Sequence, residues 1–240
     1  MFLADHNERI DHRYYARREY VFLALTGIFL GSLTMLNILS LTKMIQFDLF
    51  AFNVEFPVGV LPYPVTFLCT DFISEIYGKK RANAVVWVGV LLNIWVLFII
   101  YLGDILPPNG ASQPGEGHYV FDQIKGLTYA ATFASMVAYL TAQFIDVKIF
   151  HYIKHITKGK HLWLRNNVST IVSQLIDSIV VTMVVYYTSE AYADKENVLV
   201  NIILSIYLIK LIVALFDTIP FYLGVKFFNK YLHINTSNDY

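Results

Sequence analysis

Charge and cysteine are both scarce in this chain of 240 residues. Charged residues make up 15% of the sequence, against about 25% in soluble domains, while hydrophobic residues make up 56%. The single cysteine, Cys69, excludes disulfides within the chain and CxxC redox or zinc motifs. The formal net charge is zero, so we expect no nucleic-acid partner. The composition is that of an integral membrane protein, whose surroundings are a lipid bilayer.

Six apolar stretches, separated by polar or Pro/Gly-rich segments, have lengths that suit membrane-spanning helices. The predicted spans are residues 20–41, 57–77, 82–103, 127–147, 166–188 and 198–225. We therefore predict an all-α integral membrane protein of six transmembrane helices. Residues 20–228 form one six-span domain, and residues 1–19 and 229–240 are polar tails.

The basic residues favour one orientation in the membrane. If the N-terminus is cytoplasmic and six spans alternate, 14 of the 18 Lys and Arg residues lie in cytoplasmic segments. The external segments then hold only Lys43, Lys125 and Lys195, which obeys the positive-inside rule at every loop. Both tails are therefore predicted to be cytoplasmic.

Small residues and a basic segment predict how the helices pack. Gly27 and Gly31 in the first span, and an alanine stripe in the fourth, are typical of close helix contacts. The stripe consists of Ala130, Ala134, Ala138 and Ala142. Residues 148–165 place isoleucines opposite lysines at helical spacing, which is typical of an amphipathic segment on the membrane surface. His151 and His155 have ligand-like spacing, but no acid or cysteine joins them, so no metal site is predicted.

The stretch LPYPVTFLCTDFISEIYGKKR at residues 61–81 interrupts the apolar pattern. Pro62 and Pro64 disfavour regular helix where they stand, because each removes a hydrogen-bond donor and restricts the preceding residue. Asp71 and Glu75 lie four residues apart and share one helix face. A broken apolar segment with carboxylates on one face indicates a binding site inside the membrane. The alternative is a helix end whose acids reach water.

Other spans also carry charged side chains that a bilayer disfavours. An ionised group at the bilayer centre costs about 2.5–3.5 kcal/mol, so such groups must face one another or a wet cavity. Asp177 lies in the middle of its span. Glu75 and Asp146 lie near the predicted cytoplasmic boundary, where either a site or contact with water is open to them. Lys210 and Asp217 lie two turns apart on one helix face, which suits either a site or a structural ion pair.

Short polar motifs recur in the two halves of the chain. TDFISE at residues 70–75 and SQLIDS at residues 173–178 share an order of hydroxyl, polar and apolar side chains. QFID at residues 143–146 repeats the QxxD element. In the predicted topology the second and fifth spans run in opposite directions. The pattern therefore indicates a 3+3 inverted repeat, with a site where the halves meet.

Three blocks of the sequence resemble the queuosine precursor transporter family, formerly the putative vitamin uptake transporter group. They are DFISEIYGKKRA at residues 71–82, RNNVSTIVSQLIDS at residues 165–178, and the end marked by Lys210, Asp217, Thr218 and Pro220. The resemblance covers residues 20–228, although Val168 stands where a small residue is expected. It implies a six-span, multi-pass protein of the bacterial inner membrane that imports 7-deazaguanine bases, which are precursors of the tRNA nucleoside queuosine.

Polar groups of the chain suit such a base. Its N–H donors match a carboxylate, its carbonyl and ring nitrogen match side-chain amides, and its flat face matches aromatic rings such as Tyr63, Phe67 and Phe72. The expected substrate-binding residues are Asp71, Glu75, Gln143, Asn167, Gln174, Asp177 and Lys210.

The resulting hypothesis is a secondary transporter that is not an enzyme and needs no cofactor. The chain has no Walker motif, so the alternative is a substrate-capture subunit that a separate ATP-driven module serves. GxSxG and HExxH motifs are missing as well, which disfavours a membrane enzyme. The small-residue stripes suit a homodimer as well as internal packing. The preferred base and the coupling ion stay open at this point.

Overall fold

The described part of the chain folds into six α-helices and one short β-hairpin. The computed structural model describes residues 2–39, 43–49, 52–107, 117–188 and 196–232. The helices are α1 (Phe2–Leu39), α2 (Tyr63–Tyr77), α3 (Lys79–Ile105), α4 (Gly117–Ile156), α5 (Leu162–Thr188) and α6 (Glu196–Tyr231). The strands are β1 (Met44–Leu49) and β2 (Phe52–Pro57), and they pair antiparallel. The six helices follow the order of the six predicted spans, so the helical class is confirmed.

Within the described residues, three helices are long and apolar enough to cross a membrane. The qualifying segments are Tyr15–Leu39, Lys79–Ile105 and Ile206–Tyr231. α5 has 27 residues, about 40 Å at 1.5 Å per residue. α2 has only 15 residues, about 22 Å, and is shorter than a hydrocarbon core of about 30 Å. Six crossings, their orientation and the inverted repeat therefore stay predictions.

The predicted second span, residues 57–77, is helical only in its second part. Strand β2 ends at Pro57, a 3₁₀ turn covers Val58–Val60, and α2 begins at Tyr63. Pro64 is tolerated in the first turn because a helix does not use the backbone N–H groups there. Gly78, with a φ of 81°, separates α2 from α3 in a conformation that other residues rarely adopt. The proline prediction is confirmed at Pro62, which precedes the helix, and it is wrong at Pro64, which lies in the first turn of α2.

The prediction of a separate surface segment at residues 148–165 is wrong. α4 continues without a break to Ile156, a tight turn follows, and α5 begins at Leu162. Val147 and Phe150 are fully buried in the apolar core. The isoleucine–lysine alternation therefore marks the last turns of a packed helix rather than a helix lying on lipid. Part of the Pro/Gly-rich loop before α4, residues 108–116, lies outside the described residues.

Helix α5 is polar inside and apolar outside. Every buried side chain of its described part is polar: Arg165, Asn166, Asn167, Ser169, Thr170, Ser173, Gln174, Asp177, Ser178 and Thr182. Its large exposed side chains are Trp163, Leu175, Ile179 and Met183. A helix on the surface of a soluble protein has the opposite arrangement. The structure is thus that of a helical membrane protein with a polar interior.

An apolar core lies on the other side of the bundle. α1, α2, α3, α4 and α6 all contribute to it, with Phe29, Ile73, Val86, Phe150 and Phe221 completely or almost completely buried. α5 contributes no fully buried apolar side chain within its described part. The interior is therefore divided into an apolar region and a polar region next to α5.

The predicted glycine contact in α1 is wrong for packing within the chain. A β-carbon added at Gly27 or Gly31 would meet no atom within 4 Å. The alanine prediction is confirmed at Ala138 and Ala142, which are completely buried. Close packing at glycine occurs instead at Gly224 in α6, where an added β-carbon would overlap the Phe72 ring of α2.

Single cysteines on the two sides of α2 test the predicted orientation. Lys43 and Lys80 are both exposed, and Cys69 is buried. In a Cys69→Ala background, a membrane-impermeant maleimide should label Lys43→Cys in spheroplasts. Lys80→Cys should be labelled only after the membrane is opened. Labelling of Lys80→Cys alone in sealed spheroplasts would reverse the predicted topology.

Gly224→Ala should destabilise the protein. The Phe72 ring cannot move aside easily, because it packs 5.2 Å from Phe221 and 5.3 Å from Phe228 between ring centroids. Overpacking of this kind costs about 1–3 kcal/mol, which should lower the melting temperature of the purified protein in detergent. Gly126→Ala on α4 is the matched control, since its new methyl group meets no described atom within 4 Å, and equal melting temperatures would contradict the packing.

Candidate binding site

A cavity with a mainly apolar lining and a few polar side chains lies between five helices and the 3₁₀ turn. Its volume is about 110 Å³, several times the space that one buried water molecule needs. α1, α2, α4, α5 and α6 line it, with Tyr63, Gln143, Asp177 and Lys210 among its polar residues. A narrow crevice of about 10 Å³ adjoins it, shares Tyr63, Phe67 and Lys210, and adds Gln174 and Asp217. Cavity and crevice together form the candidate binding site.

A buried ion pair stands at the wall of the cavity. Lys210 Nζ on α6 lies 2.5 Å from Asp177 Oδ2 on α5, and both side chains are at most 6% exposed. The same ammonium group lies 4.3 Å from the centroid of the Tyr63 ring on α2, within the range of a cation–π contact. The Lys210 ammonium group therefore connects α6 to both α5 and α2.

Two side-chain amides of the site have polar atoms with no hydrogen-bond partner among the described residues. They are Nε2 of Gln143, which is 1% exposed, and Oε1 of Gln174, which is 3% exposed. The other amide atom of Gln143, Oε1, lies 3.2 Å from Thr70 Oγ1. Buried polar atoms are normally paired. An unpaired donor and an unpaired acceptor beside a cavity are therefore free to bind a ligand.

A pair of carboxyl groups lies directly behind Gln143. Asp71 on α2 and Asp146 on α4 are 2% and 0% exposed, and they lie within hydrogen-bonding distance of each other. Ser173 of α5 donates a hydrogen bond of 3.0 Å to Asp146 Oδ1. Asp146 thus belongs to the interior, and the alternative in which it reaches water is excluded.

A third group of charges, here called the inner ion cluster, joins α2 to the two helix ends that flank the turn between α4 and α5. Glu75 lies 2.6 Å from Arg165 and 3.3 Å from Lys154. Burial, together with the nearby positive charges of the cluster and of Lys79, lowers the pKa of His151 to about 4. His151 is therefore neutral at pH 7. Glu75 is buried and held by cations rather than by water.

Asn167 has a different environment from the other predicted site residues. Its Nδ2 donates to the Trp163 carbonyl at 2.8 Å, and its Oδ1 accepts from Thr218 of α6 at 2.9 Å. Asn37 is similar, because it donates to Asn93 at 2.8 Å and so joins α1 to α3. Both amides are engaged in contacts between or within helices.

The structure thus separates the seven predicted residues into groups. Gln143, Gln174, Asp177 and Lys210 line the cavity or the crevice. Asp71 lies behind the cavity wall, Glu75 lies in the inner ion cluster and Asn167 joins helices. The spacing of lysines and isoleucines predicted that Lys154 lies on the membrane surface. In the structure Lys154 instead forms an ion pair with Glu75. The sequence signal for that contact is only that α2 contains no Lys, Arg or His that could pair with Glu75.

A helical protein with an apolar exterior, and with a cavity among its helices that a few buried polar side chains line, has an architecture that suits a membrane transport protein. Residues 57–224 match the model of the family described as "Putative vitamin uptake transporter", and the chain belongs to that family. The resemblance found in the sequence blocks is therefore confirmed.

The chain is also similar to a named relative. The "Probable queuosine precursor transporter" of Bacillus subtilis (strain 168) is 28% identical over 200 residues, which cover 83% of this chain and 82% of the relative. No solved structure matches the chain.

Lys210→Met should strongly destabilise the protein. It leaves the Asp177 carboxylate buried without its cation, and loss of one partner of a buried pair costs about 3–5 kcal/mol. The double variant Lys210→Met with Asp177→Asn should recover most of the loss, because it removes both charges. Thermal unfolding of the purified variants measures both effects.

Lys125→Met is the control for this prediction. It breaks an exposed ion pair of 2.7 Å with Asp104, for which about 0–1 kcal/mol is expected. If Lys210→Met unfolded at the same temperature as Lys125→Met, the buried pair would contribute no more than a surface pair.

Proposed function

We propose that the chain is a secondary transporter that imports a queuosine precursor, a 7-deazaguanine base, across the bacterial inner membrane. The proposal is supported by family membership, by the printed name of the Bacillus subtilis relative, and by the chemistry of the cavity. The observation that carries it is the unpaired amide donor of Gln143 and acceptor of Gln174 beside the Asp177–Lys210 pair.

The polar groups of the site complement the edge of a guanine-like base. The N1–H and exocyclic amine of such a base donate hydrogen bonds, which Asp177 and the Gln174 carbonyl accept. Its O6 carbonyl accepts from the Gln143 amide or from Lys210. Tyr63 and Phe67, whose ring centroids lie 5.1 Å apart, offer apolar surface to the flat ring. Amide and carboxylate groups around an aromatic slot are typical of small-molecule sites.

Selectivity follows from the burial of these groups. A purine that lacks the amine or the carbonyl leaves a buried amide or carboxylate unpaired, and each such loss costs about 1–3 kcal/mol. A site that hydrogen-bonds its substrate therefore rejects analogues more strongly than an apolar site does. Asp177 is already neutralised by Lys210, so binding of a neutral base adds no unpaired charge to the interior.

Transport by this site requires access from alternate sides. In the predicted topology the inner ion cluster lies on the cytoplasmic side of the cavity, since Lys79 and Lys80 follow α2 directly. Glu75, Arg165 and Lys154 hold α2 against the helix ends that flank the α4–α5 turn, at 2.6 and 3.3 Å. We take this cluster as the inner closure, which must separate when the base is released into the cytoplasm. The inverted repeat supplies the two halves that rock against each other.

The open face around Gly27 and Gly31 is compatible with a homodimer, in which a second helix approaches α1. The site residues named above all belong to one chain. Substrate recognition is therefore proposed to be complete in each protomer.

Direct binding tests the proposed site. Gln143→Ala should weaken binding of 7-cyano-7-deazaguanine to the purified protein about 10- to 100-fold, the equivalent of about 1–3 kcal/mol, because the base loses its amide donor. Titration calorimetry or tryptophan quenching measures the dissociation constant. Asn83→Ala on α3, outside the cavity lining, is the matched control and should bind like the parent protein.

Uptake tests the function itself. Cells that cannot make the precursor should form queuosine from supplied 7-cyano-7-deazaguanine only when they carry this gene. Uptake by the purified chain alone, in vesicles without ATP, distinguishes a secondary transporter from a substrate-capture subunit. Neither the fold nor the relative specifically favours the capture subunit. Queuosine formation that does not depend on the gene would refute the proposal.

A further inference from the structure

The Asp71–Asp146 pair requires a proton. Two ionised carboxylates have only acceptor atoms, so they cannot hydrogen-bond to each other. With both groups ionised, Asp71 Oδ1 and Asp146 Oδ2 are buried with no donor among the described residues. One proton on the pair supplies the missing donor and removes the repulsion between two negative charges in a medium of low dielectric constant. Like-charged carboxyl groups in such contact titrate as one unit.

The surroundings of the pair differ from those of the other buried acids. Glu75 has Arg165 and Lys154, and Asp177 has Lys210. No Lys, Arg or His in the described part of the chain forms an ion pair with Asp71 or Asp146.

The groups that face the pair are acidic or uncharged. Asp217 of α6 and Glu75 of α2 add negative charge near Asp71. The remaining titratable or hydroxyl neighbours are Cys69 and Tyr63 on α2, and Ser169 and Ser173 on α5. Among the described residues no cationic side chain is paired with these two acids, which leaves a mobile cation to neutralise the pair.

The pair is connected to the binding site through the backbone of three helices. Asp71 follows Thr70, whose hydroxyl oxygen lies 3.2 Å from Gln143. Asp146 lies one helical turn after Gln143 on α4. Ser173, which donates to Asp146, directly precedes Gln174 on α5. Movement of α2 against α4 therefore changes the carboxyl pair and the cavity wall together.

We propose that the Asp71–Asp146 pair binds the proton that drives uptake, so that the chain is a proton symporter; this inference rests on the proposed function. On the outside a proton from water bonds to one carboxylate oxygen, and the O–H group then donates to the other carboxylate and holds α2 to α4. In the inward-open state the O–H bond breaks and the proton passes to cytoplasmic water. The two carboxylates, now both ionised, then repel each other. This repulsion disfavours return to the arrangement in which α2 is held to α4.

The ion assigned to the pair in this proposal is a proton, and uptake driven by a sodium gradient is the competing outcome. In the part of the chain that the structure describes, no three His, Cys, Asp or Glu side chains converge as ligands of one metal ion. A pair of acids with hydroxyl groups around it is sufficient for a proton, which needs one donor and one acceptor atom.

Proton movement by the reconstituted full-length protein tests the inference. Proteoliposomes carrying a trapped pH dye should acidify inside when 7-cyano-7-deazaguanine is added outside. An imposed gradient of one pH unit should drive up to about tenfold accumulation of this neutral base, since one proton then contributes the equivalent of a tenfold concentration ratio.

Neutral variants identify the residues. Asp71→Asn and Asp146→Asn each place a permanent amide donor in the pair and imitate its protonated form. Each should lose accumulation driven by the pH gradient while it keeps exchange of labelled for unlabelled base at equal pH. Asp104→Asn, which changes an exposed acid away from the cavity, should keep both activities.

The outcomes separate this inference from the proposed function. Uptake by the parent protein without internal acidification, or uptake driven by a sodium gradient alone, would overturn proton coupling and leave the transporter proposal standing. The same holds if Asp146→Asn accumulates base like the parent. If the parent protein moves no base under any gradient, both proposals fail. Should the Asn variants not fold, the dye measurement on the parent protein still decides.

Discussion

Buried charge is the constraint on which the rest of this structure depends. An ionised group inside a membrane protein is stable only next to an opposite charge or a wet cavity, because the medium cannot solvate it. Glu75 meets that requirement through Arg165 and Lys154, and Asp177 meets it through Lys210. These pairs join α2 to the helix ends that flank the α4–α5 turn, and α5 to α6. The pairing of charges therefore determines which helices lie side by side in the polar half of the bundle.

The polar inner face of helix α5 carries both a buried ion pair and residues of the candidate binding site. Its inner face is entirely polar within the described residues, and its outer face carries large apolar side chains. Such a helix loses little stability when it faces a cavity, because its inner polar groups form hydrogen bonds with neighbouring side chains or with a ligand. Gln174 and Asp177 lie on that face, next to Lys210. In the proposed function, the same side chains that hold the helices together also present hydrogen-bonding groups to the substrate. A neutral base can enter there without separating a charge from its partner.

The sequence predicted the elements better than it predicted their contacts. Hydropathy located all six helices in order, and Pro62 and Gly78 marked the limits of α2, because these residues act on the backbone locally. Residues 148–165 were misassigned, since alternating isoleucine and lysine look the same on a lipid surface and on a packed helix end. Gly27 and Gly31 were misassigned for a related reason: small residues permit a close contact but do not supply the partner. The hairpin at Met44–Pro57 gave no pattern strong enough to stand out from a loop.

By itself the sequence determined that the protein is helical and membrane-bound, which family it belongs to, and which polar residues had to be accounted for in its interior. These properties follow from composition, local backbone chemistry and short motifs. Only the tertiary structure decided that Lys210 pairs with Asp177, that Asp71 lies against Asp146, and that Asn167 binds Thr218 rather than facing the cavity. The physical reason is that an ion pair or a hydrogen bond depends on distances of about 3 Å between different helices. Spacing along one helix carries no information about those distances.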